Sequence, residues 1–141
     1  MARAAGVQLH PVAVHRPDEF DGVFAAMRTG RAEALMIFSS ALHAQHLRTI
    51  VDLSRQHRLP AVAWERTYAE GGLLMAYGPD TRELYRRVAY YVDRLLKGAK
   101  PADLPVEQPM QFELVINLTT AQALGLTIPP SLLFQATEVL R

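Results

Sequence analysis

Six residues in three short stretches of this sequence could hold a small polar molecule. Serine hydroxyls donate and accept hydrogen bonds, an indole offers a flat face for stacking, and a guanidinium can grip a carboxylate through two parallel hydrogen bonds. A tyrosine hydroxyl adds a polar contact, and a glycine allows backbone amides to approach a ligand closely. The residues are Ser39, Ser40, Trp64, Arg66, Tyr77 and Gly78. They predict a binding site at which no bond is made or broken.

Five of these six residues also have a structural explanation that the sequence leaves open. Ser39 and Ser40 can stop a strand and cap the helix that follows. Trp64 can be a partly buried core aromatic, and Arg66 can be a solvated surface residue. Gly78 can simply serve a turn.

The sequence contains no motif that requires catalysis, a cofactor or a metal. Phosphate-loop, dinucleotide-binding, nucleophile-elbow and zinc-protease patterns are missing, and the absence of cysteine excludes thiolate chemistry. His43 and His46 could share a metal, but no Asp or Glu stands at helical spacing to complete the ligand set. Ser40 and His43 are the only plausible nucleophile and base of an alternative enzyme. We therefore expect a binding protein with no metal, no cofactor and no catalytic residue.

Length and composition are typical of one globular domain. The 141 residues are 50% hydrophobic and 21% charged, unlike a disordered chain. The formal charge is +1 and there is no long basic run, so no nucleic-acid partner is expected. No apolar stretch reaches the roughly 18 residues of a membrane span, and the start lacks a secretory signal. The chain as written would therefore stay in the cytoplasm.

Alternating strands and helices are predicted to position the candidate residues. The predicted strands cover 7–15, 34–38 and 60–64, and the helices between them cover 17–30 and a segment that ends near His57. This rhythm is typical of parallel α/β proteins. In such sheets ligands bind outside the carboxyl ends of the strands, so the loops after Phe38, Trp64 and Tyr77 are expected to form one site.

The second half of the sequence has a long helix and a proline-rich connector. After a short strand at 73–77, Gly78 and Pro79 indicate a turn and Asp80 can cap the helix, which Gly98 ends. The apolar face of this helix consists of Leu84, Tyr85, Val88, Tyr91, Val92, Leu95 and Leu96. The further predicted elements are a strand at 112–118, a short helix capped by Thr119 or Thr120 and ended by Gly125, and a last helix at 131–140.

Four segments of the second half resemble a known family. They are EGGLLMAYGP at 70–79, YVDRLLKGAKPADLPVEQP at 91–109, FELVIN at 112–117 and ALGLTIPP at 123–130. They resemble ABC-transporter substrate-binding proteins of the tryptophan/tyrosine-binding type. Such proteins close two α/β lobes, of a type I periplasmic-binding-protein-like fold, around a small solute and deliver it to a membrane permease. The likeness covers only the C-terminal part of such a protein.

The resemblance implies that residues 1–141 form a single partial domain. This would be a three-layer lobe with a parallel sheet, truncated at the N-terminus. Residues 7–70 would be the βαβαβ part of the C-terminal lobe, and 71–141 would be crossover segments and helices that belong partly to the other lobe. The start of the sequence agrees, because residues 2–5 followed by Gly6 are typical of the last turn of a helix.

Two positions depart from the pattern of the family. The family often carries an Asp with flanking prolines where this sequence has Ser39, Ser40 and Ala41, so a carboxylate that could meet a ligand amino group is missing. Arg66 and the nearby aromatic Tyr68 match the family. The acidic residue that the family has beside this aromatic is missing, and Thr67 precedes Tyr68 instead.

The resulting hypothesis is a solute-binding component of an ABC importer that takes an amino acid or a related compound. Binding by this short chain is expected to be weak or absent, because half of the cleft would be missing. The resemblance implies an ABC permease as partner, and a periplasmic or membrane-anchored location outside the cytoplasm for the full-length family. A ligand-sensing domain of a cytoplasmic regulator and a small α/β enzyme remain alternatives. Exposed sheet edges could also allow self-association.

Overall fold

The computed structural model describes residues 4, 6–38 and 40–141. The helices are α1 (Phe20–Thr29), α2 (Ala41–Gln45), α3 (Leu47–Gln56), α4 (Arg66–Glu70), α5 (Thr81–Leu96), α6 (Leu118–Leu124) and α7 (Pro130–Gln135). The strands are β1 (Leu35–Ile37), β2 (Ala61–Ala63), β3 (Met75–Pro79), β4 (Phe112–Asn117) and β5 (Glu138–Leu140). The turn predicted for residues 2–5 includes positions outside the described residues, and Ser39 also lies outside them.

The strands form one sheet in the order β1-β2-β3-β4-β5. β1, β2 and β3 run parallel, which confirms the predicted α/β class. β4 runs antiparallel to β3, and β5 runs parallel to β4, so three of the four strand pairings in this sheet are parallel. β4 is antiparallel to β3 because the chain leaves β3 and re-enters the sheet at the same end. The Asp80 N–H donates a hydrogen bond to the Gln111 carbonyl oxygen at that point, over 3.0 Å.

One face of the sheet, the covered face, packs against α1, α3 and α4. Ile37, Ala63, Ala76 and Val115 lie side by side across four strands on this face, and all four are buried. All four strands present alanine or a β-branched residue here, which lets the helices approach the sheet closely. The core around these residues also contains Phe20, Phe24, Ile50, Val51, Tyr68, Ala69 and Leu73.

The opposite face, the open face, carries exposed apolar side chains. Successive side chains of a strand point to opposite faces, so Met36 and Tyr77 lie on the side away from the buried core. Both are exposed. Phe112 is exposed on the same face, because Tyr77 pairs with Leu114, two positions along the strand from Phe112. Part of this surface is therefore accessible to a ligand or a partner.

Side-chain caps set the starts of two helices. Asp80 begins α5 as predicted, because its Oδ1 accepts the Glu83 N–H over 3.3 Å. α6 is capped differently from the prediction, which assigned this role to Thr119 or Thr120. Asn117 is the cap instead, since its Oδ1 accepts the Thr120 N–H over 2.9 Å.

Two predicted elements are wrong. Residues 7–15 contain no strand, because among the described residues no strand pairs with them and an extended segment becomes a strand only through such pairing. The last helix ends at Gln135 rather than Leu140, and residues 138–140 form β5. β5 pairs with β4 and packs Leu140 against Ala76 and Val115, so tertiary pairing outweighs the local helical pattern.

The long helix α5 stands away from the core. None of its residues is buried, and its predicted apolar face is largely exposed. Its side chains instead reach the connector that follows it. The Tyr91 hydroxyl donates to the Pro105 carbonyl oxygen over 2.7 Å, and Arg87 binds Glu107. Neither α5 nor any other helix in the described ranges is long and apolar enough to cross a membrane.

Acid is expected to loosen the connector from α5. Hydrogen bonding from Arg87 lowers the pKa of Glu107 below its usual value. A carboxyl group with a lowered pKa stabilises the fold above its ordinary pKa, and this contribution is lost as pH falls through the lowered value. The hydrogen-exchange protection factors of the Asp103 and Leu104 amides should therefore drop in acid. Glu107→Gln should show the lower protection already at neutral pH, and pH-independent protection in the wild type would contradict the expectation.

Candidate functional site

The carboxyl ends of β1, β2 and β3 lie side by side at one edge of the sheet. The register joins Ile37 to Ala63 and Ala63 to Ala76, so the loops after these strands are neighbours. The strand ends therefore share one edge, while a single binding site formed by their loops stays a prediction. Ser39 is the one predicted residue outside the described part. The predicted residues found along this edge are Ser40, Trp64, Arg66, Tyr77 and Gly78.

These residues do not all face the same side of the sheet. Tyr77 lies on the open face and Gly78 on the covered face, because successive side chains of a strand alternate. Trp64 follows the buried residue Ala63 and is itself exposed, which places it with Tyr77. Arg66 begins α4, which packs on the covered face. The predicted set is thus divided between two faces.

Ser40 acts as the cap of α2. Its Oγ accepts the His43 N–H over 3.2 Å, which is the structural alternative that the sequence left open. The His43 ring has a different partner, because its Nδ1 lies 2.9 Å from the Phe38 carbonyl oxygen. Among the hydrogen bonds of the described residues, none joins the His43 ring to Ser40 Oγ. The enzyme alternative would require this contact between the two side chains.

His43 and His46 pack beside the same aromatic ring. Their ring centroids lie 6.1 and 5.9 Å from that of Phe20. Across residues 4, 6–38 and 40–141 there is no group of three or more His, Asp or Glu side chains that could hold a metal ion. His43 also borders an apolar groove of about 110 Å³ formed by α1, β1 and the segment 12–14.

Arg66 lies at the centre of an ion cluster on the covered face. Its Nε binds Glu70 over 2.7 Å, its Nη1 binds Glu113 over 3.0 Å, and its Nη2 binds Glu138. The side chains of Arg66 and Glu113 are only 12% and 8% exposed. The guanidinium that was expected to grip a ligand carboxylate is therefore engaged by carboxylates of the chain itself.

The charge of this cluster opposes a further carboxylate. One guanidinium faces three carboxylates, and the Glu113 Oε1 atom is buried with no hydrogen-bond partner among the described residues. Hydrogen bonds to Glu70 and then to Glu138 raise the pKa of Arg66 above its usual value, although burial lowers it. The Arg66 guanidinium therefore stays positively charged, and it already contacts three negatively charged carboxylates. The contacts indicate that Arg66 fastens α4 to β4 and β5.

Gly78 permits a close approach between β3 and the end of β2. A Cβ atom at this position would overlap the carbonyl oxygen of Trp64 and lie 2.8 Å from its carbonyl carbon. Gly78 pairs with Glu113 and Pro79 pairs with Phe112, so both residues extend β3 instead of forming the predicted turn. Glycine is required here by backbone packing, and this packing fixes the position of Trp64.

Exposed aromatic side chains line the open face at this edge. Phe38 and Trp64 are the first residues after β1 and β2, and strand alternation continued by one residue would put both on the face of Tyr77 and Phe112. Phe38 also borders the apolar groove beside α1. The four side chains are between 42 and 78% exposed. The Tyr77 and Phe112 rings are stacked, with centroids 5.9 Å apart and planes inclined by 27°. We name Phe38, Trp64, Tyr77 and Phe112 the aromatic row.

Two members of the aromatic row, Phe38 and Phe112, were not among the predicted site residues. Alternation within the apolar run 34–38 could have placed Phe38 on the face of Met36. No local signal indicates Phe112, because it reaches the row through its antiparallel pairing with Pro79.

A family described as "ABC transporter substrate binding protein" matches residues 1–140. Among solved structures, the chain is similar to an ABC domain in complex with L-Trp from Streptococcus pneumonia, with 30% identity and a TM-score of 0.89. It is also similar to a conserved domain protein from Vibrio cholerae, with 25% identity and a TM-score of 0.88. No curated protein matches significantly.

A third solved structure supports the fold alone. It is the ligand-free, open form of a substrate binding protein with adhesive properties from Clostridium difficile, with 19% identity and a TM-score of 0.71. The first two matches cover 98 and 99% of this chain but only 46 and 47% of the other chains. The chain therefore spans a little under half the length of these structures.

The family match and the sheet agree with each other. The mixed α/β sheet has the architecture of a periplasmic-binding-protein-like lobe, as the resemblance implied. The match extends over nearly the whole sequence. This chain belongs to the family of ABC transporter substrate-binding proteins.

Proposed function

We propose that this chain supplies one wall of the solute-binding site of an ABC importer. The proposed solute is an amino acid with an aromatic side chain, or a related compound with a flat ring. The observation that carries the proposal is the aromatic row at the carboxyl edge of the parallel strands. In α/β sheets this edge is where ligands bind.

The geometry of the aromatic row suits stacking against a ring. Aromatic pairs prefer offset or tilted arrangements with centroids about 4.5 to 7 Å apart, and the stacked Tyr77 and Phe112 rings already form such a pair. Exposed apolar surface of this kind often marks an interaction site. The relative from Streptococcus pneumonia is in complex with L-Trp, which supports an aromatic amino acid as the solute here.

The other predicted residues have supporting roles in this proposal. Gly78 lets the backbone of β3 approach Trp64, and Arg66 holds α4 to the sheet beneath the row. Ser40 caps the helix that follows Phe38. Ser39 and Ser40 remain predictions for polar contacts with the solute, because both directly follow Phe38 in the sequence.

Transport requires a second wall and a membrane partner. From family membership we propose that a second lobe closes on the solute and that an ABC permease receives it. The site would then work outside the cytoplasm. No step of this process makes or breaks a covalent bond, so no catalytic residue is assigned.

Binding by this chain alone is expected to be weak and to depend on Tyr77. An open wall encloses less of a ligand than the roughly 70 to 90% that is buried in a formed pocket, so we expect a millimolar dissociation constant. Trp64 is the single tryptophan, and its fluorescence therefore reports directly on the row. Titration with L-phenylalanine should change this emission, and Tyr77→Ala should weaken binding about 3-fold to 10-fold.

The matched control is Phe134→Ala. Phe134 is a highly exposed aromatic on α7, outside the aromatic row, so its removal should leave the titration unchanged. L-Leucine at equal concentration should produce a smaller change, and calorimetry extends the test to L-tryptophan, whose own fluorescence interferes. An emission that does not respond, or that responds equally in Tyr77→Ala, would count against the proposed solute.

A further inference from the structure

We propose that the solute held by the aromatic row is a positively charged aromatic amine, and that a free carboxylate on the solute weakens binding. This inference rests on the proposed function, because it names the charge of the compound that the same site would take. The observation that carries it is the distribution of charged side chains around the row, at the carboxyl edge of the strands.

Acidic residues outnumber basic ones next to three members of the row. The segments 64–70, 77–82 and 111–113 contain four carboxylates and two guanidiniums, and a fifth carboxylate, that of Glu138, binds one of these guanidiniums. Five carboxylates against two guanidiniums give this edge a net formal charge of −3. The carboxylates are those of Glu65, Glu70, Asp80, Glu113 and Glu138, and the guanidiniums are those of Arg66 and Arg82.

The two guanidiniums do not compensate these carboxylates. Each nitrogen of the Arg66 guanidinium already binds a carboxylate of the chain, and this side chain is only 12% exposed. Arg82 lies on α5 and is exposed, so solvent and salt screen its charge. A carboxylate on the solute would therefore meet an excess of negative charge.

Two carboxylates that follow members of the row have acceptor capacity left. Glu65 directly follows Trp64, and its side chain does not cap α4 although it precedes that helix. Glu113 directly follows Phe112, and its Oε1 atom is buried with no hydrogen-bond partner among the described residues. A carboxylate with spare acceptor sites attracts a nearby cation and repels a nearby anion. Both residues therefore favour a cationic solute.

The rings of the row favour a cation as well. The face of a tyrosine or tryptophan ring attracts an ammonium group that lies within about 6 Å of the ring centroid. Trp64 and Tyr77 are 42 and 60% exposed, so a solute can reach them. A compound whose ring and ammonium group are separated by two carbons could stack on the row and direct its charge towards the acidic edge. Phenethylamine is the simplest compound of this kind.

The test compares two ligands that share a ring and a two-carbon chain but differ in charge. Phenethylamine and 3-phenylpropionate are titrated into the full chain, and the emission of Trp64 is followed. Phenethylamine should bind about 10-fold more tightly at about 10 mM salt, where charges act over about 30 Å. At about 1 M salt this distance falls to about 3 Å, so the preference should shrink to about 3-fold or less. L-Phenylalanine, which carries both charges, should bind with intermediate affinity.

One substitution connects this preference to the acidic edge. Glu65→Gln should reduce the ratio of the two affinities about 3-fold at low salt. Glu33→Gln is the control, because Glu33 is exposed and precedes β1, at the opposite edge of the sheet, and the charge change is the same. It should leave the ratio unchanged. n-Propylamine, which has no ring, should leave the emission unchanged.

The possible results separate this inference from the proposed function. Equal binding of the amine and the acid, or tighter binding of the acid, overturns the inference and leaves the aromatic row as a site for uncharged rings. A ratio that Glu65→Gln does not change, or that Glu33→Gln lowers equally, also overturns it. If no compound with a ring changes the emission, the proposed function itself fails, and the inference fails with it.

Discussion

Alanine at position 78 is expected to destabilise the fold by about 3 kcal/mol, measured by urea unfolding. The added Cβ atom would overlap the carbonyl oxygen of Trp64, and a backbone atom cannot rotate away as a side chain can. Either β3 or the end of β2 must therefore shift, which strains the pairing of Gly78 with Glu113. Because Trp64 is the single tryptophan, its emission should change in the folded variant as well.

Gly22→Ala is the control for this substitution. Gly22 lies within α1, and a Cβ atom there meets nothing within 4 Å. Alanine is favoured over glycine inside a helix by about 0.5 to 1 kcal/mol, so Gly22→Ala should be at least as stable as the wild type. A Gly78→Ala chain that loses less than about 1 kcal/mol would show that the close approach to Trp64 can relax.

Removal of the Arg66 guanidinium has the second large expected effect. Arg66→Met should reduce the free energy of unfolding by about 3 to 5 kcal/mol, because it leaves Glu113 buried without its cation. Glu70 and Glu138 are about half-exposed and can turn towards water, whereas Glu113 cannot. The loss should therefore come mainly from one carboxylate. Chemical unfolding at constant pH measures it.

Two further variants identify the source of that loss. Arg86→Met removes an exposed ion pair with Glu83 and should cost less than about 0.5 kcal/mol. Adding Glu113→Leu to Arg66→Met should recover most of the stability, because a buried ion pair can often be replaced by apolar groups. If the double variant is as unstable as Arg66→Met alone, the buried carboxylate is not the cause.

The elements that could be predicted have strong local signals. The continuous apolar run at 34–38 became β1, and Asp80 capped α5 as its position before the apolar pattern indicated. β5 could not be predicted, because its extended conformation depends on pairing with β4. The direction of β4 could not be predicted from the sequence either, because it depends on the end of the sheet at which the connector returns.

In the candidate site, too, features set by the local sequence could be predicted, and contacts between residues far apart in the sequence could not. The positions of Trp64 and Tyr77 near the carboxyl ends of β2 and β3 could be predicted from the alternation of strands and helices, and their role in binding stays a prediction. The partners of Arg66 could not be predicted, because Glu113 and Glu138 are 47 and 72 residues away in the sequence. In the sequence, an arginine after a strand is a candidate for binding a ligand carboxylate. Only the fold shows that carboxylates of the chain itself already bind this arginine.

The hydrogen bond between Asp80 and Gln111 has a wider consequence. Together with the pairing of Pro79 and Phe112, this bond makes β3 and β4 an antiparallel hairpin. The segment 80–111 takes the place of the short turn that usually joins such strands. No residue of α5 within this segment is buried, so the packed core of the sheet does not include that helix. Such a lobe can therefore lengthen, shorten or exchange this arm during evolution while its strands keep their register.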